Sequence, residues 1–130
     1  MIAFCVNLDA HAASRILIEA ISAASMGLVA HIDGQANAAK RGVTVAADQI
    51  LEVFRPDFAV RVWQAQKDAG IDIPLRIHIY EANGKTHIAM RSARTVFAPY
   101  GNLRLNEIAD ELQPVFDKIL ASLNPYKEPA

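Results

Sequence analysis

The chain has 130 residues, enough for one domain with a real core and without disulfide or metal staples. Thirteen basic residues against fourteen acidic ones leave a net charge of −1, so there is no broad basic field to attract nucleic acid. A hydrophobic fraction of 52% is high for a soluble monomer, and surplus apolar surface in a small protein often hides in an oligomer interface, which points to an oligomer.

The single cysteine, Cys5, has no internal disulfide partner, which fits a reducing compartment. The opening MIAFCVNLDAHAAS has no basic segment, and Asp9 interrupts its apolar run, unlike a signal peptide. No stretch approaches the ~18 uncharged apolar residues of a membrane span. The expectation is a cytoplasmic protein with no membrane or nucleic-acid partner.

Ile2 to Asn7 is short and apolar and predicts a first strand. Asp9 is a good N-cap, and Ala13, Ile16, Leu17, Ala20, Ile21 and Ala24 recur at helical spacing up to Gly27. The prediction is a helix over 10–26. Leu28 to Asp33 reads as a strand, after which Asp33 caps a short helix over 35–41 that Gly42 ends. Asp48 to Phe54 is a strand rich in Ile, Leu, Val and Phe. Pro56 stands near a helix start. A helix over 58–69 follows, with Val62 and Trp63 inward and Gly70 closing it.

The clearest local signal is PLRIHIYEANGKTHIAM. Asn83-Gly84 is the preferred pair for a two-residue type I′ turn between alternating runs. That turn sets Ile77 against Met90, Ile79 against Ile88, Tyr80 against His87, His78 against Ala89 and Arg76 against Arg91. One face is then aliphatic, and the other carries Arg76, His78, Tyr80, His87 and Arg91. Ser92 to Gly101 is a loop with a possible helical turn before Pro99. From Asn102 to Leu123 a 3.6 period persists across Pro114, so the helix either kinks there or restarts. The tail NPYKEPA, 124–130, reads as polar and frayed. Three amphipathic helices on the apolar side of a mainly antiparallel sheet make a single two-layer α+β sandwich.

The run GLVAHID at 27–33, Phe54 with Pro56, and DIPLRI at 72–77 resemble the DUF302 family of small bacterial proteins of unknown function. The likeness covers about residues 10–123. It implies a TBP-like β-α-β(4)-α fold and is compatible with homodimers. It does not imply DNA binding, because fold does not fix function. The family's second histidine is Gly34 here, its Phe-Gly-Asn-Pro has become Phe54-Arg55-Pro56-Asp57, and the tyrosine common in its last strand is Met90. These departures imply that a pocket built from the family signature has been partly lost or reads another ligand.

Two guanidiniums facing each other at Arg76 and Arg91 repel unless something negative lies between them. Glu52 on a neighbouring strand, a carboxylate or phosphate ligand, and an acidic side chain of a partner subunit all answer that need. His31 and Asp33 share a strand face, which admits an acid–base pair or merely a polar strand end. The leading expectation is a binding module for a small anion or anionic metabolite, held in a polar cleft of His31, Asp33, Arg55, Arg76, His78 and Arg91. An enzyme using His31 and Asp33 is the rival, and a structural dimeric partner protein is the third reading.

No cofactor is expected. The spacing of His31, Asp33, His78 and His87 resembles no compact metal motif, and haem has no C-x-x-C-H. Cys5 would be a nucleophile only with a base beside it and otherwise fills apolar space. There is no P-loop, G-x-G-x-x-G or G-x-S-x-G. Phe58 and Trp63 read as core or interface.

Overall fold

The computed structural model describes residues 1–129. The chain runs β1 (Ile2–Val6), α1 (Ala10–Ala23), β2 (Gly27–Asp33), α2 (Gly34–Ala39), β3 (Asp48–Phe54), α3 (Pro56–Ala65), β4 (Leu75–Ala82), β5 (Lys85–Met90), α4 (Ala93–Phe97) and α5 (Leu103–Ala121). Short 3-10 turns cover Lys67–Asp72, Ala98–Tyr100 and Asn124–Tyr126. The five strands form one sheet in the order β1-β5-β4-β3-β2, with every neighbour antiparallel. This is the expected two-layer α+β sandwich.

Alternation along the strands decides the layers. Leu51 and Val53 of β3, Leu75, Ile77 and Ile79 of β4, and Ile88 and Met90 of β5 are all buried on one face. α1 packs on β2, β3 and β4 there, and α5 packs on α1, α3 and α4. α5 buries Leu105, Ile108, Leu112, Phe116 and Ile119, a stripe at helical spacing. Each such side chain contributes about 1.5–3 kcal/mol by leaving water. The sheet's other face is half-exposed along β4 and β5.

The hairpin has the expected register, with Ile77 opposite Met90, Ile79 opposite Ile88 and Tyr80 opposite His87. Asn83 and Gly84 take φ of 55° and 74°, as a type I′ turn requires. Asp9 and Asp33 cap their helices by accepting from Ala12 N–H at 2.8 Å and Ala36 N–H at 2.9 Å.

Several boundaries differ from expectation. α1 ends at Ala23 because Ser25, not Gly27, takes the left-handed turn at φ 58°. Gly27 instead begins β2, where a Cβ would lie 2.9 Å from the Phe54 carbonyl oxygen. α3 starts at Pro56 and stops at Ala65. Phe58 and Val62, four apart, face the core, which turns Trp63 outward to 43% exposure beneath the Lys67 ammonium. Trp63 is therefore surface rather than core. Pro114 lies inside an unbroken helical span, on its exposed side, so the carbonyl it fails to bond faces water. The tail is not frayed as expected. Lys127 bridges to Val6, and Glu128 N–H donates to the Cys5 carbonyl at 3.0 Å. Among the described residues no helix is long and apolar enough to cross a membrane.

Candidate functional site

The open sheet face carries two polar groupings. The first is a row across β3, β4, β5 and β1. His78 Nε2 lies 2.8 Å from Asp48 Oδ1, the His78 and Tyr80 rings stack at 4.5 Å, and Tyr80 stacks on His87 at 4.8 Å. His87 Nε2 is 3.2 Å from the Ala82 carbonyl, which accepts its proton, so Nδ1 of the neutral ring is free to accept from the Cys5 thiol at 3.4 Å. A base does therefore stand beside Cys5, contrary to its reading as apolar filler. Alternation along β4 sets His78 beside Tyr80, and the turn register sets Tyr80 across from His87, so one stack runs along the strand and the other across it.

The second is a cleft of about 670 Å³ at the end of the sheet. Arg76, Arg91 and Glu52 line it, with Thr95 and Val96 from α4 on one side and Ile73 and Pro74 on another. The β4–β5 ladder stops at Ile77 and Met90, so Arg91 lies just past its end rather than in a paired position opposite Arg76. Arg76 instead faces Glu52 of β3 and donates Nε–H to it at 3.2 Å. Among the described residues no carboxylate comes within ion-pair distance of Arg91. At the cleft's rim Tyr100 donates its hydroxyl to Asp72, and that acceptor pushes the phenol up to about 12.

The six residues expected to form one cleft are divided among three places. Arg76 and Arg91 share the cleft, and His78 lies on the same open face, paired with Asp48. His31 and Asp33 do not join them. They oppose Leu51 and Gln49 in the β2–β3 ladder, which puts them on the helix side of the sheet. Asp33 caps α2, and His31 bonds through Nε2 to Gln49 Oε1 at 2.6 Å. Each member of the supposed acid–base pair thus has another partner. Arg55 follows β3 at the same end of the sheet as Glu52 but lines a separate apolar groove, where it makes a two-pronged pair with Asp57 at 2.6 and 3.1 Å and lies over the Phe58 ring. That guanidinium holds the Asp57 carboxyl below its ordinary range, and the carboxylate raises Arg55 in turn.

Gln49 was missing from the expected set. It is 1% exposed, and its amide links His31 to His11 of α1, with Nε2 3.3 Å from His11 Nδ1. Its signal was parity: Gln49 shares a strand face with Leu51 and Val53 and so had to be buried. Thr95 and the Tyr100–Asp72 bond had no such signal, because they reach the cleft through the 3-10 turns and α4. Among the described residues no group of three or more His, Cys, Asp or Glu side chains is placed to hold a metal ion.

The fold and its open face define a two-layer α+β protein with a five-stranded antiparallel sheet. The chain belongs to the family described as Domain of unknown function DUF302, whose model matches residues 4–123. The crystal structure of an uncharacterized conserved protein DUF302 from Bacillus stearothermophilus matches it in fold, with a TM-score of 0.79 over 95% of this chain and 94% of that one, at 22% identity. Comparison with curated proteins finds no match. At the positions that depart from the family pattern, Gly34 opens α2, where a Cβ would lie 3.1 Å from the Asp48 carbonyl oxygen. Met90 is a buried core residue between Ile2 and Ile77.

Proposed function

We propose that this protein is a small ligand-binding module that holds an anionic metabolite in the cleft between Arg76 and Arg91. The observation that carries the reading is Arg91: its guanidinium lines a 670 Å³ cleft, and no acid among the described residues is paired with it. A guanidinium offers a planar fork that fits a carboxylate or phosphate with two parallel hydrogen bonds. Ile73, Pro74 and Val96 supply an apolar wall, which favours an acid with an aliphatic body over a bare inorganic ion. Glu52 tempers the site by engaging Arg76.

The test is calorimetry and thermal shift with a panel of mono- and dicarboxylates and phosphate esters. Arg91→Ala should abolish binding of whichever acid stabilises the wild type. Glu52→Gln frees Arg76 and removes a like charge, so it should tighten the same ligand. A wild type that no acid stabilises, or an Arg91→Ala protein that binds equally well, refutes the reading.

A further inference from the structure

Cys5 is the one cysteine of the chain, and it is half-buried rather than packed into the core. It lies on the open face of β1, directly opposite His87 of β5. Residues opposed in this way share a face with Cβ atoms about 4.5–5.5 Å apart, which brings a thiol within reach of an imidazole. Sγ stands 3.4 Å from Nδ1 of His87. Two contacts hold that ring in place. The Ala82 carbonyl accepts Nε2–H at 3.2 Å, and the Tyr80 ring lies against it at 4.8 Å with 8° between the planes. A nucleophile, a base within reach and a third group that orients the base are the parts of an activated thiol.

We propose that Cys5 and His87 form a thiol–disulfide exchange site whose substrate is a low-molecular-weight disulfide. The Cys5 thiol passes its proton to Nδ1 of His87. The thiolate attacks one sulfur of the disulfide, a new S–S bond forms to Cys5, and the old S–S bond breaks. The leaving thiolate takes the proton back from His87. The products are a mixed disulfide on Cys5 and one free small thiol, so the disulfide itself is the only oxidant consumed. Between the two proton transfers His87 is an imidazolium, and the Tyr80 ring presents its electron-rich face to that charge.

Two features select this class of substrate. Attack at a carbonyl builds an oxyanion that needs fixed donors around it, whereas attack at sulfur places the charge on the leaving thiolate. The proton held by His87 neutralises that charge, so the pair alone suffices. Space is the second feature. Ala3 shares the face of Cys5 and opposes Ala89 of β5, so the surface beside the thiol on that side carries only methyl groups. The chain has no second cysteine to attack the mixed disulfide. The adduct therefore stays on Cys5 until another small thiol removes it, and the site caps and uncaps reversibly. The inference does not rest on the anion cleft, in which neither Cys5 nor His87 takes part.

The rate at which the full chain reacts with the aromatic disulfide DTNB at neutral pH tests the pair. An unassisted thiol is only a few per cent thiolate there, so the folded wild type should react roughly tenfold faster than the same chain unfolded in urea. A thiol that is merely packed is slower folded than unfolded. His87→Phe keeps a ring against Tyr80 and removes both nitrogens. Its rate should fall by roughly the same factor, with an unchanged circular dichroism spectrum. Oxidised glutathione should add one glutathione per chain, seen in the intact mass and reversed by reduced glutathione, and Cys5→Ser should take up none. A wild type slower folded than unfolded, a folded His87→Phe protein as fast as wild type, or a wild type that forms no adduct overturns the proposal. The comparison of folded with unfolded wild type needs no variant, so it decides the matter even where His87→Phe fails to fold.

Discussion

Gln113 offers the sharpest test of what holds the cleft in shape. It is buried on α5, and its Oε1 accepts from the Ala93 N–H at 2.8 Å. Ala93 opens α4, the helix that brings Thr95 and Val96 to the cleft. Ser92 caps the same helix but bonds Thr95 N–H, so the Ala93 donor depends on Gln113. Gln113→Leu keeps the bulk and leaves that N–H buried without an acceptor. An unsatisfied buried donor costs about 1–3 kcal/mol. The extra apolar burial offsets on the order of 1 kcal/mol, roughly one methylene equivalent. The expected net loss is therefore about 0–2 kcal/mol, centred near 1, and each kcal/mol lowers Tm by roughly 4 °C for a domain of this size. Gln113 also donates to Asp117 at 2.8 Å, so Asp117→Ala is the control. Because Asp117 is exposed, that change should cost well under half as much. Urea unfolding measures both, and amide exchange at Ala93 reports the orphaned donor directly. A Gln113→Leu protein as stable as wild type, with Ala93 still slow to exchange, refutes the reasoning.

Two further predictions concern the frame and the rim. Gly27→Ala puts a Cβ 2.9 Å from the Phe54 carbonyl oxygen, so β2 and β3 must part; a loss of about 1–3 kcal/mol is expected in urea unfolding, and an unchanged midpoint counts against it. Tyr100 is raised from 10.0 to about 12 because Asp72 accepts its proton, so the bond's stabilisation is whole below pH 10 and fades as pH climbs through about 12. Asp72→Asn should bring one tyrosine's ultraviolet titration back toward 10.0; a titration curve identical to wild type would show the bond to be absent.

The hairpin was legible because every determinant is local. Asn83-Gly84 selects the turn, the turn sets the register, and period-two alternation assigns Ile77 and Arg76 to opposite faces. Asp9 and Asp33 were legible for the same reason, since a cap concerns three or four consecutive residues. His31 was misplaced because parity within β2 says nothing of which face it shares with β4. That depends on the β2–β3 register and on the bulge after Leu28, which no single segment encodes. Trp63 was misread because the helix begins at Pro56 and Phe58 and Val62 take the inward stripe. The tail looked frayed on composition, yet its backbone finds donors and acceptors on β1. Glu52, one of the three counter-charges the sequence left open for Arg76, is the one the fold supplies, because strand DQILEVF alternates and places Glu52 on the open side.

The anchored tail also bears on how far the sheet can grow. A sheet receptive at both margins recruits strands at each end and propagates as a filament. Here residues 126–128 occupy one margin with the chain's own backbone. The backbone of Cys5, Val6 and Asn7 is thereby withheld from any foreign strand, and clipping the last few residues should open that stretch of β1 to pairing between chains.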